Sequence, residues 1–169
     1  MMELKELCEK TLEIFRVKSV EDLGESLMKA CMENDMQKFD TFAELVGDLN
    51  VDWLQKIFQY YQADRKEKMQ DYTPESLAAF VGRLVGDSDE VIDMCAGSGA
   101  LTIQKWRQNH ETRFKLFEID ENVIPYLLFN LVLRNIESTV CHADVLQKEM
   151  YHKYKVKRGD KYGILEVIS

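Results

Sequence analysis

Proline is scarce in this chain of 169 residues, which contains two prolines, Pro74 and Pro125, and no Pro-Pro pair. With 46% hydrophobic and 31% charged residues, the composition excludes collagen-like and wholly disordered proteins. No apolar run approaches the ~20 residues that a membrane span requires. The N-terminus mixes acids with lysines and lacks the apolar core of a secretory signal. We therefore expect a cytoplasmic protein with no membrane partner.

Cysteine is also sparse, and its four positions have no metal-binding pattern. Cys8, Cys31, Cys95 and Cys141 form no C-x-x-C pair and have no nearby histidine at zinc-ligand spacing. Each lies among apolar neighbours, so we expect reduced, mostly buried thiols rather than metal ligands or catalytic groups.

Acidic residues outnumber basic residues by 30 to 22, and the formal net charge is −8. This balance argues against a simple nucleic-acid binder, because phosphate contacts need Lys and Arg. The acidity is uneven, since residues 1–55 hold 13 acids and 6 bases, whereas residues 56–169 hold 17 acids and 16 bases. The stretch from Lys148 to Tyr162 carries six bases and two acids. We interpret it as a solvated loop, with contact to a phosphate backbone as the alternative.

The pattern of residues 1–70 predicts an N-terminal helical region. Apolar residues recur at helical spacing in four segments, from Leu4 to Phe15, Leu23 to Cys31, Phe39 to Val46 and Trp53 to Tyr61. We interpret these stripes as core or docking surface. A charged link from Ala63 to Gln70 then separates this region from residues 71–169.

Residues 71–169 predict a partial α/β domain. Thr73-Pro74-Glu75 is typical of a helix start, with a capping hydroxyl before a proline at the first helical position. The expected buried face of that helix consists of Leu77, Ala78, Val81, Leu84 and Val85. Strands at 90–94, 114–118, 139–143 and 163–168 are predicted, with helices at 101–109 and 123–135. Strands that alternate with helices indicate a parallel sheet.

The segment from Asp93 to Gly99, with the sequence DMCAGSG, lies between a predicted strand and a helix. Glycines at such a turn let the backbone approach a ligand closely and leave helix N-terminal amides available to it. A dinucleotide fingerprint would need a third glycine at position 102, where this chain has Thr102. A nicotinamide or flavin site is therefore disfavoured.

Carboxylates lie at the ends of three consecutive predicted strands, at Asp93, Glu118 and Asp144. Glu118 occupies the place of the acid that holds ribose hydroxyls about 20 residues beyond a Rossmann glycine turn. Asp120 competes for this role, although helix capping is the more natural reading of its position. Because the carboxyl ends of parallel strands meet at one edge, we expect the three acids to converge on one pocket.

These motifs together resemble adenine-specific (N6) DNA methyltransferases, and in particular the modification subunit of type I restriction-modification systems. The matching segments are Tyr72-Thr73-Pro74 with the glycine turn, Phe117 to Asp120 with Asn130-Leu131 and Arg134 to Ile136, and His142 to Asp144. The likeness runs from about Asp52 to Leu146. It implies an α/β fold: a partial Rossmann-like, S-adenosylmethionine-dependent methyltransferase core, with a parallel sheet and flanking helices, preceded by the helical segment.

The resemblance also implies roles for individual residues. Tyr72, Thr73 and Pro74 would line the methionine end of S-adenosylmethionine, and Asp93 would orient that end, with Gly97 and Gly99 making room for it. Glu118 would hold the ribose, and Asp144 would accept a hydrogen bond from the adenine amine. Cys95, Ala96, Ile119 and Val145 complete the expected cofactor-binding set. Taken singly, Thr73, Asp93 and Asp144 also fit ordinary capping or turn-forming roles.

The resemblance breaks at the catalytic loop, where the family has Asn or Asp, two prolines and an aromatic residue that hold a flipped adenine. Here the sequence runs from Ile164 to Ser169 without that motif. We name no catalytic residue, and we expect the chain to bind cofactor without turning it over. DNA would then be a partner only together with a complementary specificity or catalytic subunit. Self-association through an exposed sheet edge is a further expectation.

Two other functions are compatible with the sequence. The first is a non-catalytic module that binds S-adenosylmethionine or docks other subunits through its acidic helical region. The second is a small-molecule methyltransferase, which the Thr73-Pro74 segment ahead of the glycine turn argues against.

Overall fold

The computed structural model describes residues 3–61 and 73–168. Four helices make up the front of the chain: α1 (Leu4–Phe15), α2 (Leu23–Glu33), α3 (Met36–Val46) and α4 (Trp53–Tyr61). Arg16 and Asn34 adopt left-handed conformations that end α1 and α2, and Gly47, with a φ of 67°, ends α3. The four helices predicted from apolar spacing are confirmed. The proposed boundary at residue 70 and the charged link before it lie outside the described residues.

The rest of the chain alternates helices and strands before it ends in two consecutive strands. Its elements are α5 (Glu75–Leu84), β1 (Glu90–Asp93), α6 (Ala100–Gln108), β2 (Arg113–Glu118), α7 (Ile124–Leu133), β3 (Ser138–Asp144), β4 (Glu149–Lys157) and β5 (Ile164–Val167). The strands form one sheet in the order β1-β2-β3-β4-β5. The first three are parallel, whereas β3 to β4 and β4 to β5 are antiparallel. The prediction of a parallel sheet is correct for β1 to β3 and wrong for the mixed sheet as a whole.

Strand β4 occupies the basic stretch that the sequence suggested was a solvated loop, and that interpretation is wrong. Lys153, Lys155 and Lys157 alternate with Tyr154 and Val156, which is the period of a strand with one buried face. Val156 is fully buried, while the lysine side chains lie on the other face of the sheet. The alternation was present in the sequence, but the density of charge hid it.

Helix α7 joins the helical front to the sheet. Ile124 and the eight residues from Tyr126 to Leu133 are all buried, as expected for a helix that is apolar on every side. The ring of Phe129 contacts three rings of the front, with centroid distances of 5.3 Å to Phe15, 5.6 Å to Phe39 and 5.4 Å to Phe42. The helical front and the sheet therefore share one hydrophobic core.

Helix α5 and strand β1 are more exposed than the sequence predicted. Of the expected buried face of α5, Ala78 is buried, but Leu77, Leu84 and Val85 are exposed. Ile92 of β1 is also exposed, since β1 pairs with β2 alone in the described part of the chain. These apolar positions are typical of a surface that takes part in further packing.

The two faces of the sheet differ in character. One face packs its apolar side chains into the shared core. The opposite face carries Arg113, Lys115, Lys153, Lys155 and Lys157, all exposed or half-buried. Cross-strand pairing places Lys115 opposite Thr139, and Thr139 opposite Lys155, which confirms that these residues share one face. Among the described helices, none is long and apolar enough to cross a bilayer.

Candidate functional site

The glycine turn connects β1 to α6 in a compact conformation. Asp93 Oδ1 accepts a hydrogen bond from the backbone N–H of Cys95 at 3.0 Å, so this carboxylate shapes the turn itself. Gly97 and Gly99 have φ angles of 56° and 99°, in the region that favours glycine. Gly99 caps α6, and its carbonyl accepts a hydrogen bond from the N–H of Ile103 at 2.8 Å. The turn therefore delivers the chain directly to a helix N-terminus.

Glu118, at the end of β2, is in direct contact with this turn. Its Oε2 accepts a hydrogen bond from the N–H of Gly97 at 2.8 Å, and its Oε1 accepts one from the N–H of Asp120 at 2.8 Å. A backbone bond from Ala96 N–H to the carbonyl of Phe117 at 2.9 Å reinforces the contact. The structure thus brings together two segments that the sequence analysis assigned to one site.

Asp144 ends β3 at the same edge of the sheet as Asp93 and Glu118. Its Oδ1 accepts hydrogen bonds from the N–H groups of Leu146 at 2.9 Å and Gln147 at 3.0 Å. Both Asp144 and Val145 are half-buried. The carboxylate therefore orders the turn into β4, which is the ordinary role that the sequence analysis kept open.

A cleft of about 690 Å³ opens beside Glu118. It is lined by Glu118, Ile119, Asp120, Glu121, Asn122, His142 and Tyr151. Glu118 and Ile119 belong to the expected cofactor-binding set, whereas the other five lining residues, His142 and Tyr151 among them, do not. His142 Nε2 lies 3.1 Å from the carbonyl oxygen of Ile119, and its ring centroid is 4.9 Å from that of Tyr151. Tyr151 was missed because it belongs to β4, a strand that was not predicted. His142 lies in the third segment that resembles the family, and this position could have indicated it as a site residue.

Thr73 and Pro74 lie in a different cavity, of about 240 Å³. Its other lining residues come from α4, the segment before it and the N-terminal halves of α5 and α6, and include Asp52, Lys56 and Ala100. Pro74, not Thr73, occupies the N-cap of α5, and no side chain caps this helix. Asp93 lines a third cavity of about 170 Å³ between α5, β1 and α6. Tyr72 lies outside the described residues.

Cys95 is exposed within the turn, but its environment opposes a reactive thiolate. Partial desolvation, followed by the negative charges of Asp93 and Glu118, raises the pKa of Cys95. No group of three or more His, Cys, Asp or Glu side chains in the described ranges is arranged to hold a metal ion.

The site as a whole offers carboxylate acceptors, backbone amides at a helix start and an acidic, partly aromatic cleft. Such a set can bind a molecule that combines hydroxyl groups, an aromatic ring and positive charge. In the described residues of the cleft we identify no group arranged to activate a nucleophile.

Comparison with known sequences identifies the family. The sequence model of N-6 DNA methylase matches residues 45–161, which is more than half of the chain. Comparisons with curated proteins and with solved structures give no significant match. The matched segment runs from the end of α3 through β4 and includes the glycine turn, Glu118 and Asp144. The chain therefore belongs to the N-6 DNA methylase family.

Proposed function

We propose that this chain is the S-adenosylmethionine-binding part of a DNA adenine-N6 methyltransferase similar to the type I modification subunit. The observation that supports the proposal is the contact between Glu118 and Gly97, because it joins the acid that we assign to the ribose to the glycine turn in a member of a DNA methylase family. The finer assignment to the type I subunit rests on the resemblance of the sequence motifs.

The residues of the site fit the cofactor. Each oxygen of Glu118 accepts one backbone N–H, and a carboxylate oxygen retains a further lone pair for a ribose hydroxyl. A Cβ atom built on Gly97 meets nothing within 4 Å, so the space above the turn is open to a ligand. The acids around the turn also suit the positive charge of a sulfonium centre.

We assign the ribose and adenine of the cofactor to the Glu118 cleft, with Ile119, Asp144 and Val145 as neighbours of the adenine. Asp93, Cys95, Ala96, Gly97 and Gly99 form the turn against the methionine moiety. Tyr72, Thr73 and Pro74 are assigned to the methionine end by family resemblance. Thr73 and Pro74 line a separate cavity in the structure, and their assignment rests on the motif rather than on the Glu118 cleft.

S-adenosylmethionine supplies the methyl group in this chemistry, and the residues described here bind and orient it. Transfer to adenine also requires groups that hold the exocyclic amine of a flipped base. The 169 residues contain no Asn/Asp-Pro-Pro motif. We therefore propose that these 169 residues bind the cofactor but do not transfer its methyl group by themselves, and that the base-holding loop and the contacts that read DNA sequence come from further sequence, on this or another polypeptide.

Two assays test the proposal. Equilibrium dialysis with labelled S-adenosylmethionine should show saturable binding that S-adenosylhomocysteine displaces and NAD does not. A transfer assay with adenine-containing DNA should show no labelled product with this chain alone. Binding of NAD with comparable affinity would contradict the cofactor assignment, and transfer by the isolated chain would contradict the inactivity.

A role as a subunit-docking module is the second candidate, and the open basic face of the sheet favours it. Sheets with parallel strands are normally covered on both faces, whereas in the described part of the chain this face leaves Lys115 exposed and Lys153 and Lys155 half-buried. A complementary subunit that binds this face without restoring transfer to DNA would favour docking over catalysis. Charge reversal at Lys153 and Lys155 would then weaken that complex.

A further inference from the structure

A buried polar cluster connects the helical front to the glycine turn. Its centre is Asp52, which is 6% exposed and lies immediately before α4. Asp52 Oδ1 accepts a hydrogen bond from the N–H of Gln55 at 2.9 Å, so the residue also caps α4. Its Oδ2 accepts a hydrogen bond from the hydroxyl of Ser98 at 2.6 Å, 46 residues further along the chain. Ser98 is the residue between Gly97 and Gly99.

Asn130 of α7 closes the cluster from the other side. Its Nδ2 donates to Asp52 Oδ1 at 2.9 Å and to the backbone carbonyl of Ser98 at 2.9 Å. Ser98 is therefore held through both its side chain and its main chain. Asn130 and Ser98 are each 1% exposed, so these hydrogen bonds are shielded from competition by water.

Arg134, the C-cap residue of α7, orients Asn130 and secures the segment before α4. Its Nη1 donates to Asn130 Oδ1 at 2.8 Å, its Nε to the carbonyl of Leu49 at 2.7 Å, and its Nη2 to the carbonyl of Val51 at 2.9 Å. Burial lowers the pKa of Arg134 to about 10, which still leaves the guanidinium charged at neutral pH. The positive charge compensates part of the cost of burying the Asp52 carboxylate.

The cluster anchors a turn that is otherwise conformationally free, because glycines lie on both sides of Ser98. Gly97 and Gly99 each adopt positive φ, and glycine passes between such conformations at little steric cost. A turn of this composition needs anchoring from outside if its amides are to keep one direction. The bonds from Asp52 and Asn130 to Ser98 supply that anchor, while Glu118 holds the neighbouring N–H of Gly97.

The geometry points to Asp52 as a positioning residue of the cofactor site, which acts through Ser98 and with Asn130 to hold the amides of the glycine turn in their binding orientation. The inference rests on the proposed function for its ligand, S-adenosylmethionine. It gives the helical front a defined part in cofactor binding, beyond its share of the hydrophobic core. The hydrogen bonds of Asp52 are to Gln55, Ser98 and Asn130, so its proposed effect on the cofactor passes through the turn.

Three substitutions separate positioning from simple stability. Asp52→Ala removes all three hydrogen bonds that the carboxylate accepts. Ser98→Ala removes the hydroxyl alone and replaces Asp52→Ala in the test if that variant does not fold. Asp52→Asn keeps the Oδ1 acceptor for Gln55 and Asn130, and the Ser98 hydroxyl can rotate to accept from the new amide. Val46→Ala is the matched control, because it removes buried apolar contact in α3 without touching the turn.

The test measures two quantities at a temperature well below the unfolding midpoint of every variant. The first is the affinity for S-adenosylhomocysteine by calorimetry, and the second is the position and exchange rate of the amide NMR signals of Gly97, Ser98 and Gly99. We expect Asp52→Ala and Ser98→Ala to weaken binding about tenfold or more and to shift these amides with faster exchange. We expect Asp52→Asn to restore affinity to within about threefold, and Val46→Ala to leave both quantities unchanged.

The inference is overturned if Asp52→Ala and Ser98→Ala leave the turn amides unmoved, or if Val46→Ala weakens binding as much as they do. Failure of the wild-type chain to bind S-adenosylhomocysteine would instead contradict the proposed function. In that case the amide signals still decide whether Asp52 positions the turn, because they are measured without ligand.

Discussion

The N–H of Gly97 donates a hydrogen bond to Oε2 of Glu118 at 2.8 Å, which closes the glycine turn against the end of the neighbouring strand. This carboxylate is the acid that the sequence analysis assigned to the ribose of the cofactor. It therefore has two tasks, since it holds the turn and presents acceptor lone pairs to the adjoining cleft. Loss of Glu118 is expected to disturb both tasks at once.

Gly99→Ala should destabilise the chain more than Gly97→Ala. Gly99 has a φ of 99°, and an added Cβ would lie 3.0 Å from Cδ1 of Leu127, so strain and crowding combine to cost about 1–3 kcal/mol. Gly97 has a φ of 56° and open space around it, so strain alone should cost about 1–2 kcal/mol. Chemical denaturation of both variants measures the difference. An equal or reversed order would contradict the described turn.

Asp52→Asn should change how stability depends on pH. Desolvation by burial is the largest influence on Asp52 and raises its pKa above the ordinary value of 3.8, against the opposing effects of Ser98 and Arg134. A carboxyl group whose pKa is higher in the folded state contributes stability below its unfolded pKa and loses it as pH rises through the folded value. The wild type should therefore lose stability relative to Asp52→Asn as pH rises from about 4. Thermal midpoints across that range test this, and a flat difference would contradict it.

Asp40→Asn should show the opposite dependence. Hydrogen bonds from Lys161 and Tyr162 lower the pKa of Asp40, because they favour its charged form. Its contribution is present above the unfolded pKa and is lost as pH falls through the lower folded pKa. Thermal midpoints should therefore show the wild type losing its advantage over Asp40→Asn on acidification. A difference that grows on acidification would overturn this assignment.

Phe129→Ala should destabilise the helical front and the sheet together. The ring of Phe129 packs against three rings of the front from its place on α7, and truncation of a buried Phe costs about 3–5 kcal/mol. Amide exchange should rise in α1, α3 and β3 alike. Faster exchange in the front alone would show that the two parts do not depend on a common core. Phe80→Ala, at an exposed position of α5, is the control and should change little.

The sequence predicted the elements that have a clear apolar period, and it placed them within one or two residues. The stripes of α1 to α4 and the runs of β2 and β3 depend on local patterns, which is why they were readable. Strand β4 was missed because its lysines lie on a face of the sheet where, among the described residues, no covering layer requires apolar side chains. The buried face expected for α5 was wrong at Leu77, Leu84 and Val85, because tertiary packing, not helical period, decides which face is covered.

The site residues that belong to a local motif were predicted, and those that depend on long-range contacts were not. The order of the motifs indicated Gly97 and Glu118 as neighbours, and the structure shows the contact. The importance of Asp52 was not visible, because its partners Ser98 and Asn130 lie 46 and 78 residues away in the chain. Such long-range bonds leave no local pattern in the sequence. Tyr151 was likewise hidden, since its place beside His142 depends on the pairing of β3 with β4.

Calorimetric titration of S-adenosylhomocysteine into the wild type, Glu118→Ala and Glu121→Ala tests the central claim most directly. Glu121 lines the same cleft from an exposed position and serves as a matched control for charge. We expect saturable binding by the wild type, a loss of at least about tenfold in Glu118→Ala, because hydrogen bonds to a charged group are removed, and little change in Glu121→Ala. A folded wild type that does not bind, or equal losses in both variants, would contradict the assignment of this edge of the sheet as the cofactor site.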